Sequence, residues 1–167
     1  MKSTDIKNRT KVTKDFKENS IVVSREFEAP VEQVWRSFTN GEVLDEWWGP
    51  SPWRAETKTI NFTPGGYWLY AMVGPDNERQ WGRMNYFNIE RYENFEFEDA
   101  FCDENGKVNN DFPVSRGEAT FSKTDNGTRV DFKMTYPSES DLEKIVTMGF
   151  EEGITISLDQ LESLLRR

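Results

Sequence analysis

From Trp53 to Tyr136 the chain is a succession of short extended runs separated by tight turns, and after Pro137 it carries one apolar stripe at helical spacing. The runs are Arg54 to Phe62, Tyr67 to Val73, Gln80 to Tyr92, Phe95 to Cys102, Arg116 to Lys123 and Arg129 to Tyr136. Pro64-Gly65-Gly66, Gly74-Pro75-Asp76-Asn77, Glu93-Asn94 and Asp125-Asn126-Gly127 punctuate them, with a longer polar loop over residues 103–114. Runs spaced this closely pair as an antiparallel meander and leave no room for helical crossovers. The stripe of Leu142, Ile145, Val146, Phe150, Ile154, Leu158, Leu161 and Leu165 predicts a long C-terminal helix. Ser138 is its expected N-cap, with Asp141 placed as in a capping box. Gly149 and Gly153 interrupt the stripe, each at a cost of roughly 1 kcal/mol relative to Ala. They pack closely on the sheet, leave room for a ligand, or mark a kink.

Upstream, Ser20 to Glu28 alternates as a strand, with Ile21, Val23, Arg25 and Phe27 sharing one face. Pro30 opens a short helix on which Val31, Val34, Trp35 and Phe38 recur, and Asn40-Gly41 closes it. A second short helix is expected from Glu42 to Trp47, stopped by Gly49-Pro50. Residues 1–18 are polar and without period, and are expected to be a flexible arm ahead of a single domain spanning 19–167. The expectation is an α+β fold: about seven strands in a curved antiparallel sheet around the C-terminal helix, with one or two short helices after the first strand. One helix covers a sheet face only along a line, so the concave space beside it holds large side chains or a ligand.

Composition narrows the function. The 21 Lys and Arg against 30 Asp and Glu give a formal charge of −9, which argues against nucleic acid and anionic membrane as partners. No run approaches the roughly 20 apolar residues of a membrane span, and the N-terminus lacks the apolar core of a secretory signal. A single cysteine, Cys102, forms no internal disulfide and fits a reducing, cytoplasmic setting. There is no histidine, which removes Ser-His-Asp, Cys-His and His-metal chemistry together. No metal and no cofactor is expected. The glycine pairs do not have the spacing of a phosphate loop.

The order of elements and several local words resemble the SRPBCC, or START-like, superfamily with its helix-grip fold, shared with birch-pollen allergens. Within it they are similar to the branch named for activators of the heat-shock protein ATPase. The words are Phe27-Glu28-Ala29-Pro30-Val31-Glu32-Gln33-Val34-Trp35, Trp47-Trp48-Gly49-Pro50, Pro64-Gly65-Gly66-Tyr67-Trp68, Gly74-Pro75-Asp76 and the stretch from Tyr86 to Phe101. Met148-Gly149-Phe150 and the run Leu158-Asp159-Gln160-Leu161-Glu162-Ser163-Leu164-Leu165 complete them. The resemblance implies an apolar pocket between the sheet's inner face and the long helix. It covers lipid carriers, hormone receptors, polyketide cyclases and co-chaperones, and so leaves the activity open.

Alternation assigns Trp68, Tyr70 and Met72 to one face, and groups Phe97, Asp99 and Phe101 with Phe95. Phe121, and then Phe132, Met134 and Tyr136, follow on the last two strands. These residues, with Phe150 from the helix, either fill the core or line a ligand pocket. Asp99 interrupts an aromatic run, and a buried carboxyl needs a partner or a raised pKa. Arg83 on the preceding strand is the candidate partner if the register allows. Trp48 either lids the pocket or anchors its loop, and Cys102 alternates away from it. The chain reads as a binding module for a small apolar or aromatic ligand, with a protein partner as a further expectation and no assigned catalytic residue. A cyclase or aromatase using Arg83, Asp99, Tyr70 and Tyr136, and stimulation of a chaperone ATPase, are the alternatives.

Overall fold

The computed structural model describes residues 10–167. The meander forms one curved sheet of eight antiparallel strands in the order β1-β2-β8-β7-β6-β5-β4-β3. The strands are β1 (Lys11–Asp15), β2 (Ser20–Phe27), β3 (Arg54–Ile60), β4 (Tyr67–Val73), β5 (Arg79–Glu90), β6 (Asn94–Cys102), β7 (Ser115–Lys123) and β8 (Thr128–Thr135). Between β2 and β3 lie two short helices, α1 (Val31–Thr39) and α2 (Gly41–Trp47). The chain ends in α3 (Glu139–Thr147) and α4 (Phe150–Leu165).

Two features differ from the sequence reading. The eighth strand comes from the expected arm: Lys11 to Asp15 pair in register with Ser24 to Ser20 of β2. Its side chains are mostly exposed, so no buried alternation marked it; the backbone ladder holds it there, helped by Val12 against the core and by Lys14 at 2.9 Å from Glu151. The first half of that arm, residues 1–9, lies outside the described residues. The second difference is the long helix, which is two helices. Gly149 adopts φ +92°, a left-handed conformation that breaks the helical ladder between Met148 and Phe150. The expected cap holds, with the Ser138 side chain accepting from the Asp141 backbone N–H at 3.1 Å.

The core sits between the sheet and the helices. Trp35 of α1 anchors one end, edge-on to Phe62, Tyr92, Phe95 and Phe121 at 4.9–6.1 Å. Phe38 stacks on Trp47 at 4.8 Å and on Phe132 at 5.2 Å. Aromatic pairs in these geometries add roughly 0.5–1.5 kcal/mol each beyond burial. Arg25 of β2, only 1% exposed, reaches from the inner sheet face to α4, at 2.8 Å from Asp159 and 3.4 Å from Glu162. The loop after β6 folds back over the outer face. Val108 bridges to Cys102, and the Gly106 carbonyl accepts from Arg83 at 3.3 Å.

Candidate functional site

Strand parity decides which side chains meet inside. On β4, Trp68, Tyr70 and Met72 point inward; opposite Tyr70 and Met72 on β5 stand Gly82 and Gln80. Gly82 in turn pairs with Phe101 of β6, and Met84 pairs with Asp99. Gly82 leaves space for the ring beside it: a Cβ there would fall 2.7 Å from the Tyr70 ring. Facing these strands is the break between α3 and α4. The sheet and the two helices line a cavity of about 540 Å³ that is partly open to solvent.

Eight of the expected residues border it: Trp48, Tyr70, Met72, Asp99, Phe101, Met134, Tyr136 and Phe150. Trp68, Phe97 and Phe132 lie deeper, around an adjoining void of about 60 Å³ that also touches Trp48, Asp99, Met134 and Phe150. Two expected residues are elsewhere. Phe121 packs in the core at 4.9 Å from Trp35 and 5.5 Å from Phe38. Arg83 pairs with Ala100, one position out of step with Asp99, and so points to the opposite face of the sheet. There its guanidinium lies 4.0 Å over the Tyr67 ring and its Nε donates to Asn85 Oδ1 at 2.8 Å. Arg83 is therefore no partner of Asp99.

The tandem tryptophans divide their work. Trp47 is fully buried and donates from Nε1 to the Ser37 carbonyl at 2.8 Å. Trp48 borders the cavity, edge-on to Trp68 at 5.5 Å and to Tyr70 at 6.5 Å. α4 holds this segment in place. Ser157 Oγ donates to the Trp48 carbonyl, and Gln160 Nε2 donates to the carbonyls of Trp47 and Gly49, at 2.8–2.9 Å.

Polar groups converge on Asp99. Burial pushes its carboxyl up to about 7, against a hydrogen bond from the Ala100 backbone that favours the ionised form. The exposure it retains is toward the cavity it borders. The hydroxyls of Tyr70, Tyr86 and Tyr136 are all held above the usual phenol range, first by burial and then by the Asp99 charge. Tyr136 is opposed in this by a hydrogen bond with the Ser115 side chain. Cys102 faces away from the cavity, and burial pushes its thiol up to about 11. Among the described residues, no group of three or more Cys, Asp or Glu is placed to hold a metal ion.

Sequence reasoning missed Trp53, Gln80, Ser115, Met148 and Ser157, all of which border the cavity. Gly82 did carry a signal, since a glycine inside a strand marks a close approach. Ser157 stands one helical turn beyond Gly153 and Ile154, so helical spacing alone would have placed it. Met148 had no such signal, because its position follows from the break at Gly149.

The model of the family described as Activator of Hsp90 ATPase homolog 1-like protein matches residues 28–166. Among solved structures, the crystal structure of protein Ms6760 from Mycobacterium smegmatis is 33% identical, covers 93% of this chain and 96% of its own, and superposes with a TM-score of 0.87. A solution structure of a protein from Arthrobacter aurescens is also 33% identical, covering 93% and 91%, with a TM-score of 0.88. The crystal structure of the AHSA1 protein from Silicibacter pomeroyi shares the fold at 20% identity, covering 88% and 97%, with a TM-score of 0.69. No curated protein matches.

Proposed function

We propose that this chain, which belongs to the Activator of Hsp90 ATPase homolog 1-like protein family, binds a small apolar or aromatic molecule between its sheet and its two C-terminal helices. The observation that carries this is the cavity of about 540 Å³, within the range typical of small-molecule sites. Its wall is mostly aromatic and aliphatic, with a few polar groups gathered at Asp99. Cys102 without a disulfide partner fits a cytoplasmic setting, and among the described residues no helix is long and apolar enough to cross a membrane.

The test fills the cavity without unfolding the protein. Gly153 borders it, and the nearest atom to a Cβ built there is Pro50 Cγ at 3.7 Å, so a larger side chain enters open space. Wild-type protein is expected to enhance N-phenyl-1-naphthylamine fluorescence saturably, and Gly153→Leu to lose that binding while keeping its circular dichroism. Equal binding by both proteins, or none by the wild type, would remove the reading.

A second reading rests on Asp99 alone. A carboxyl held near neutrality can donate a proton to a bound substrate, as a cyclase-like enzyme requires. Native mass spectrometry separates the two: a binding module returns its ligand with unchanged mass.

A further inference from the structure

The cavity wall contains one carboxyl group and no cation. None of its bordering residues is Lys or Arg, and the chain has no His. Arg83 serves the other face of the sheet. Among the described residues, no ion pair reaches Asp99. The rings of Trp48, Tyr70, Phe101 and Phe150 border the same cavity as the carboxyl. Aromatic faces attract cations, and more strongly where water is excluded. A buried carboxylate without a partner is costly, and a ligand that supplies the missing positive charge recovers that cost.

The geometry points to an apolar amine as the occupant, its hydrocarbon part among the rings and its protonated nitrogen on Asp99. This rests on the cavity-binding reading and specifies its ligand class. An anion of the same shape would bring like charge to Asp99 with no cation to offset it, in a protein of formal charge −9. The titratable groups nearest Asp99 are Tyr70 from β4, Tyr86 from β5 and Tyr136 just after β8, with Cys102 of its own strand turned to the opposite face of the sheet. All four are pushed up and stay neutral at physiological pH. α3 and α4 bring only Ile145, Met148, Phe150, Gly153, Ile154 and Ser157 to the wall. Ionisation at the site is therefore that of Asp99, and amine affinity rises with pH as the carboxyl gives up its proton through about 7.

Three probes of one shape decide it: 1-naphthylmethylamine, 1-naphthylmethanol and 1-naphthylacetic acid, measured by calorimetry on the full chain. At about pH 8, where a carboxyl of this kind is ionised and a primary amine protonated, the order expected is amine, then alcohol, then acid. The amine is expected to lead by roughly tenfold, the size of one charge-assisted contact. That lead shrinks toward acidic pH, and Asp99→Asn removes it. Should the Asn variant fail to fold, the wild-type order and its pH dependence still decide. An alcohol that binds as well as the amine overturns this inference alone. Failure of all three to bind overturns the cavity reading and the inference with it.

Discussion

Because no cation faces Asp99, the cost of its burial appears as proton affinity: the carboxyl is held at about 7 instead of 3.8. The native state binds this proton more tightly than the unfolded chain does. Its contribution to stability is therefore complete below the ordinary carboxylate range and is lost as pH rises through about 7. Asp99→Asn cannot ionise, so it serves as the reference. The stability of the wild type minus that of the variant is expected to fall by about 4 kcal/mol between the ordinary carboxylate range and about 7 and then level off. Denaturant unfolding followed by tryptophan fluorescence at a series of pH values measures it, and a flat difference would take the charge out of the account. Asp99 was legible because a carboxyl interrupts the aromatic sequence Phe95, Phe97, Phe101 on its face. Its lack of a partner was not. Alternation fixes the parity within each strand, but the pairing of Met84 with Asp99 comes from the turn between β5 and β6 and the irregularity near Tyr86. A shift of one residue would have turned Arg83 inward.

At the scale of elements, the stripe after Pro137 gave the direction of the final segment but not its break. Gly149 and Gly153 look equivalent in sequence, each an unfavourable residue in a helical pattern. The structure separates them. Gly149 sits at φ +92°, where any side chain is strained. Gly153 has ordinary helical surroundings, with open space where its Cβ would be. Alanine substitutions should therefore act in opposite directions. Gly149→Ala is expected to cost about 1–2 kcal/mol through left-handed strain. Gly153→Ala is expected to stabilise by up to about 1 kcal/mol through helix propensity. Thermal or denaturant unfolding of the two variants checks this, and equal shifts of the same sign would mean that the break is not fixed by Gly149. The eighth strand was illegible for another reason. Lys11 to Asp15 bury almost nothing, and sequence patterns register burial, not backbone pairing along an edge.

At the scale of the whole molecule, the sheet and the terminal helix meet through a polar clamp as well as through apolar packing. Arg25 shared its face with Ile21, Val23 and Phe27 in the sequence, but Glu162 lies 137 residues away, beyond the reach of any local pattern. Arg25 is 1% exposed and Glu162 5% exposed, so each has given up its water. Each keeps one half-exposed partner at 2.8 Å, Glu162 with Arg166 and Arg25 with Asp159, but Arg25 is the more deeply buried and its Nε already has no hydrogen-bond partner among the described residues. Removing the acid should therefore hurt more than removing the base. Glu162→Leu is expected to cost about 2–4 kcal/mol by leaving a buried guanidinium short of charge. Arg25→Met should cost less, and the double variant should return to within about 1 kcal/mol of the wild type, because two apolar side chains then pack where two ions had to be desolvated. Equilibrium unfolding of the three variants closes the cycle. Strict additivity of the single losses would show that Arg25 and Glu162 do not act as a pair.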